Sequence, residues 1–163
     1  MAKYVVTGAT GFLGANLVRA LLGQGHQVEC IIRKPNKLVE GLSVGLHPVP
    51  LVDRPEVVEQ LATVMKDVDG VFHLAGIFDP SPEGVIRMTQ VHIFGTRALL
   101  KAAELACVPR FVHCSSSITV GFVASHPDAT SDSEDWAISP DDIYGTNGAL
   151  RHYYNTKKQS EEL

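Results

Sequence analysis

The chain has 163 residues, 45% hydrophobic and 20% charged, which is enough for one domain with a sizeable core. A formal net charge of −4 argues against a nucleic-acid partner or an acidic membrane surface, and no apolar run is long enough to span a bilayer. Three widely spaced cysteines, Cys30, Cys107 and Cys114, sit among apolar residues and read as buried free thiols, which suits a cytoplasmic protein. No Cys/His spacing suggests a metal site. The first apolar residues are broken at once by a glycine turn with a use in the fold, so the N-terminus does not read as a signal peptide.

Taken in order, the pattern alternates between strands and helices. A first strand is expected over 3–7. The turn Thr7-Gly8-Ala9-Thr10-Gly11-Phe12-Leu13-Gly14 follows, and then a helix over 12–23 with Leu13, Leu17, Val18, Leu21 and Leu22 on one face. A second strand at 28–32 ends in Arg33-Lys34-Pro35, where the proline stops pairing. A third strand is expected at 47–51. Pro55 then opens a helix with an apolar stripe of Val57, Val58, Leu61 and Met65. A fourth strand covers 70–74, a long helix 83–106 and a fifth strand 110–114, which runs into Ser115-Ser116-Ser117. From 121 to 146 the chain is rich in Ser, Asp, Pro and Gly and holds the single tryptophan, Trp136. A loop of that length in a compact domain is usually functional or mobile. The rest, from 147, reads as a helix with Tyr153, Tyr154, Lys157 and Lys158. The alternation predicts an α/β fold, a Rossmann-type doubly wound parallel sheet with ligands outside the strand carboxyl ends. The glycine turn, Arg33, the segment after Leu74 and the serine run all fall at those ends.

The glycine turn carries the first chemical signal. A strand delivers it, small residues let a ligand approach the backbone, and the helix that follows offers free N–H groups to a phosphate. That is a dinucleotide site, formed by Thr7, Gly8, Thr10, Gly11, Phe12, Leu13 and Gly14. At the end of the second strand an acid would bind ribose hydroxyls. Here Arg33 and Lys34 stand instead, with Glu29 inside the strand, so a 2′-phosphate and hence NADP is favoured over NAD. Leu74, Ala75 and Gly76 close the fourth strand, and the small residues there would let the backbone pass under a cofactor. His73 reads as a satisfied core histidine. Tyr153 and Lys157 are four apart and share a helical face. A phenol with a pKa near 10 needs a neighbouring ammonium to work near neutrality, and a serine on the facing strand end can hold a carbonyl.

The chain resembles the extended short-chain dehydrogenase/reductase family. The glycine turn matches its T-G-A-T-G-F-[LI]-G motif, and Val71-Phe72-His73-Leu74-Ala75-Gly76 its V-x-H-x-A-[AG] segment. The stretch from Phe111 to Gly121 resembles its serine strand. Tyr153-Tyr154-Asn155-Thr156-Lys157-Lys158-Gln159-Ser160-Glu161 fits Y-x-x-[ST]-K-x-x-x-E. The Arg33-Lys34-Pro35 ending is similar to the dihydroflavonol-reductase-like branch, which uses NADPH. The resemblance implies that Ser117 orients a substrate carbonyl, Tyr153 gives or takes the proton, and Lys157 binds the nicotinamide ribose and lowers the tyrosine pKa. It also implies that Leu74, Ala75, Gly76 and Ser115 join the cofactor site. Ser116 competes with Ser117, and Tyr154/Lys158 has the same spacing. The family glutamate falls at Glu161 only in the Tyr153/Lys157 register.

Two departures stand out. The family's N-V-x-G-T reads His92-Ile93-Phe94-Gly95-Thr96 here, and its G-D-[LV] after the third strand reads Pro50-Leu51-Val52, with Asp53 displaced. The family is also roughly twice this length, so the chain reads as its N-terminal, cofactor-binding part over 1–163, C-terminally truncated. A truncated sheet would leave an apolar edge exposed. The expected partner is a small carbonyl or alcohol substrate; the family often pairs as a homodimer through its long helix and Tyr/Lys helix, and for this chain the oligomeric state stays open. Two other readings stay open: a nucleotide-sugar epimerase or dehydratase with tightly bound NAD, and a dinucleotide-binding module without catalysis.

Overall fold

Side chains alternate between the two faces of the first strand, and this alternation sets the whole architecture. In the computed structural model, which describes residues 1–120 and 148–163, β1 spans Lys3–Thr7. Val5 points to one face and Val6 to the other, and both are fully buried. Beside β1 lie β2 (Gln27–Ile31) and β4 (Gly70–His73), in registers that align Val5 with Val71 and Val6 with Cys30. The outer strands are β3 (Gly45–His47) and β5 (Phe111–His113). All pairings are parallel, and the strand order is β3-β2-β1-β4-β5. This is the doubly wound order, with its reversal between β1 and β4.

Each face is buried by helices. Helix α1 (Phe12–Gly23) covers Val6, Val28 and Cys30 with Val18 and Leu21. On the other face α2 (Pro55–Val64) packs Val57, Val58 and Leu61 over Val5, Ile31 and Val71. Pro55 sits in the first turn of α2, where its missing N–H costs nothing. The long helical stretch after β4 consists of α3 (Gly84–Thr89), a π-helical segment (Gln90–Gly95) and α4 (Thr96–Leu105), which adds Ala98, Leu99 and Ala102 to the second core. A 3₁₀ turn (Ser117–Val120) follows β5, and α5 (Gly148–Glu161) packs on α3 and the π segment.

Four expectations are corrected. The third strand lies at Gly45–His47, because Pro48 and Pro50 have no N–H for a ladder, and residues 48–52 run on as irregular coil. The long helix is not uniformly α-helical. Leu13 is 54% exposed: it occupies the open first turn of α1 and lies off the packed stripe. Of the three cysteines only Cys30 is buried. Cys107 is exposed in the left-handed turn that ends α4, and Cys114 is half-buried. The expected loop over 121–146, with Trp136, lies outside the described residues. No helix among those described is long and apolar enough to cross a membrane.

Candidate cofactor cleft and Tyr/Lys helix

Gly8 is the pivot of the glycine turn. Its φ is +70°, and a Cβ there would lie 2.7 Å from the Ala75 nitrogen and the Leu74 carbonyl. Only glycine lets the β1 and β4 ends come this close. Gly14 is equally constrained, since a Cβ would meet the Gly8 oxygen at 2.2 Å. The turn closes with the Gly11 N–H donating to the Gly8 carbonyl at 2.9 Å. No side chain caps the N-terminus of α1, and its first turn carries no acid. Gly11, at that N-terminus, lines a cleft, and Phe12 is 86% exposed beside it.

The cleft has a volume of about 430 Å³ and opens at the carboxyl ends of β1, β2 and β4. Gly8, Thr10 and Gly11 form one wall. Ile32 and Arg33 lie at the end of β2, and Leu74 to Ile77 form the floor. Val49, Pro50, Leu51 and Val52, expected in part as strand, form the remaining wall. Arg33 is the only charged residue among the described lining residues. Arg33 and Lys34 are exposed, and neither enters an ion pair among the described residues. Glu29 is occupied away from the cleft, with His47 at 2.6 Å and Lys3 at 3.2 Å. Asp53 is likewise taken up, by Lys101 at 2.8 Å. The arrangement fits a dinucleotide: uncapped helix amides, a glycine-only approach, apolar walls for a flat ring and, among the described residues, a guanidinium without an ion-pair partner.

Beneath the floor lies a hydrogen-bond chain. The Ala75 N–H donates to Thr7 Oγ1 at 3.2 Å. Thr7 Oγ1 lies 2.6 Å from His73 Nδ1, and His73 Nε2 lies 2.9 Å from Thr96 Oγ1, so in the neutral ring one nitrogen donates and the other accepts. His73 is buried with both ring nitrogens bonded, as a core histidine should be. Burial, with the positive charges of its neighbours, pushes its pKa down to about 3, so the ring is neutral.

The Tyr/Lys helix is fixed at the same end of the sheet. Lys157 is 4% exposed, and its Nζ donates to the Cys114 carbonyl just past β5 at 2.8 Å. Burial holds its pKa below the usual lysine value. Lys158 is half-buried and pairs, among the described residues, with Glu161 at 3.3 Å, so the two registers differ plainly in environment. The Tyr153 ring is half-buried, edge-on to His92 at 5.5 Å and to Phe78 at 5.4 Å between centroids. Glu161 accepts from the Ser115 hydroxyl and, at 2.7 Å, from Thr119 Oγ1. These two bonds tie the turn after β5 to α5. Ser115 thus spends its hydroxyl on Glu161, Ser116 Oγ lies 3.4 Å from the Ile118 nitrogen, and Ser117 is exposed at the start of the 3₁₀ turn.

Sequence reasoning missed Asn36, whose Nδ2 donates to the Thr10 carbonyl at 3.0 Å and whose Oδ1 accepts from Leu38 N. It braces the glycine turn from the loop after β2. The signal was the Pro35-Asn36 pair, a common turn dipeptide. Thr96 and Thr156 were missed as well, because their partners lie far away in the chain.

Comparison with known proteins agrees with this geometry. Residues 4–157 match the NAD dependent epimerase/dehydratase family. Sterol demethylase protein B of Methylococcus capsulatus is 36% identical over 138 residues, covering 83% of this chain and 40% of that protein. Cinnamoyl-CoA reductase 2 of Medicago truncatula is 31% identical over 161 residues, covering 93% of this chain and 43% of that protein. A short-chain dehydrogenase/reductase superfamily protein of Agrobacterium tumefaciens, solved with bound NAD, superposes with a TM-score of 0.72 at 29% identity, over 98% of this chain and 43% of that one. The chain therefore spans about 40% of the length of these relatives and belongs to the NAD dependent epimerase/dehydratase family, within the extended short-chain dehydrogenase/reductases.

Proposed function

We propose that the chain carries the cofactor site and proton-transfer residues of an NADP-dependent oxidoreductase that interconverts a carbonyl and an alcohol. The observation that supports this best is the cleft lining, where Arg33 is the sole charge among the described residues and no carboxylate meets the ribose end. A guanidinium matches a 2′-phosphate in shape and charge, whereas a free ribose needs an acceptor. When bound, the nicotinamide gives or takes the hydride. The uncapped end of α1 takes the pyrophosphate, and Leu74 to Gly76 let the cofactor lie along the floor. Tyr153 moves the proton to or from the substrate oxygen, Lys157 favours its phenolate, and Ser117 holds that oxygen. Phe78 is 53% exposed beside Tyr153 and supplies an apolar wall for the substrate skeleton.

Tyr153→Phe tests the assignment. It keeps the ring contacts and removes only the proton carrier. Cofactor affinity should hold within about two-fold while NADPH oxidation by a ketone falls by about 10² to 10⁴. Undiminished turnover in this variant would sink the catalytic role.

A further inference from the structure

His92 joins two parts of the site that share no backbone. It lies in the π-helical segment, a helix form that recurs at functional sites, and is 1% exposed. Its Nε2 lies 3.1 Å from the Ile77 nitrogen, and its Nδ1 lies 2.8 Å from Thr156 Oγ1. The Ile77 N–H can only donate, so Nε2 is the bare nitrogen. The Thr156 hydroxyl donates to the Tyr153 carbonyl at 3.1 Å, so it accepts from Nδ1–H. Both bonds are satisfied by one tautomer alone, neutral with its proton on Nδ1. Burial and the nearby Lys157 charge oppose protonation and push the His92 pKa down to about 4. The same ring meets the Tyr153 ring edge-on. Ile77 belongs to the cleft floor, and Thr156 and Tyr153 belong to one turn of α5.

We infer that His92 is a positioning residue: a neutral clamp that couples occupancy of the cleft at Gly76–Ile77 to the order of the Tyr153–Thr156 turn. The inference rests on the cofactor reading of the cleft. A ligand that steadies the Ile77 peptide steadies the His92 acceptor bond, then the Thr156 bond, and so the turn that carries Tyr153. The coupling is reciprocal, so an ordered α5 favours ligand binding. Thr156 is 4% exposed, so in the intact protein the His92 ring, not water, meets its hydroxyl.

Amide hydrogen exchange on the 163-residue chain, with NADP⁺ as the probe, tests the clamp. NADP⁺ should slow exchange at Ile77 and also at the Thr156–Ser160 amides, by about five-fold or more. Thr156→Val barely changes volume and should bind NADP⁺ while protecting the floor alone. His92→Phe should do the same, and His92→Gln, which keeps a donor and an acceptor, should restore the response in α5. Equal protection of α5 in the wild type and both clamp-broken variants would overturn the inference, as would no α5 response despite bound NADP⁺. If neither NADP⁺ nor NAD⁺ binds, the cofactor reading falls on its own. The clamp is then judged in the free protein, where Thr156→Val must speed exchange at Ile77 and the His92 ring ¹⁵N signals must report Nδ1–H. Unchanged Ile77 exchange, or a proton on Nε2, contradicts it.

Discussion

The Lys157 ammonium lies 2.8 Å from the carbonyl oxygen of Cys114, the residue that follows β5. One bond thus pins the Tyr/Lys helix to the end of the sheet. It also removes a charge from water, and burial lowers the lysine pKa in response. Lys157→Met removes the favourable bond and the cost of burying the charge together. These terms oppose each other at about 1–3 kcal/mol each, so the net loss should stay within about 1.5 kcal/mol. Lys157→Glu instead sets a buried carboxylate against a carbonyl, and should cost more than about 3 kcal/mol. Urea unfolding of the two variants decides: equal losses would mean that the ammonium is a strong net stabiliser.

The glycines divide into those that the cleft requires and those that it does not. Gly8→Ala must strain a left-handed backbone and push Leu74 and Ala75 away, so it should cost about 1–3 kcal/mol and abolish nucleotide binding. Gly23 ends α1, and a Cβ there would meet nothing within 4 Å, so Gly23→Ala should raise stability by about 0.4–1 kcal/mol. Denaturant midpoints with a binding assay on each variant test the contrast. A Gly8→Ala protein that still binds nucleotide would contradict the close approach.

Stability should fall on mild acidification. His73 and His92 have folded pKa values of about 3 and about 4, against an ordinary 6.5, with burial the first cause in both. The unfolded chain therefore takes up these protons first, and their contribution is complete above pH 6.5. It is lost as pH falls towards the folded values, at up to roughly 1.4 kcal/mol per pH unit for each histidine. Carboxylates act lower: Glu161, held down by the Ser115 and Thr119 hydroxyls, starts from an ordinary value of 4.5. Thermal midpoints between pH 7 and 5 should therefore drop, and His92→Gln should flatten the slope. A flat profile for the wild type would contradict neutral buried histidines.

Local chemistry made much of this legible. The glycine turn, the Tyr153/Lys157 spacing and the helix opened by Pro55 are set by residues close in sequence, and the fold follows from strands alternating with helices. The misreadings have physical causes. Val49 and Leu51 are apolar because they pack on the core and wall a cleft, although the flanking Pro48 and Pro50 already argued against a strand. The π segment differs from the flanking α-helix only in its backbone hydrogen-bond step, which no residue type marks. His92 was visible as a departure, but its role depends on Thr156, 64 residues away. The chain of bonds from Thr7 through His73 to Thr96 likewise joins residues 66 and 23 apart.

Calorimetric titration of NADP⁺ and NAD⁺ into the wild-type chain and into Arg33→Ala tests the central claim most directly. Tighter NADP⁺ binding is expected in the wild type. In the variant NADP⁺ should weaken by about 10- to 100-fold, the worth of a charge-assisted bond of roughly 1.5–3 kcal/mol, while NAD⁺ stays unchanged. Equal affinity for both nucleotides, indifferent to Arg33, would contradict it.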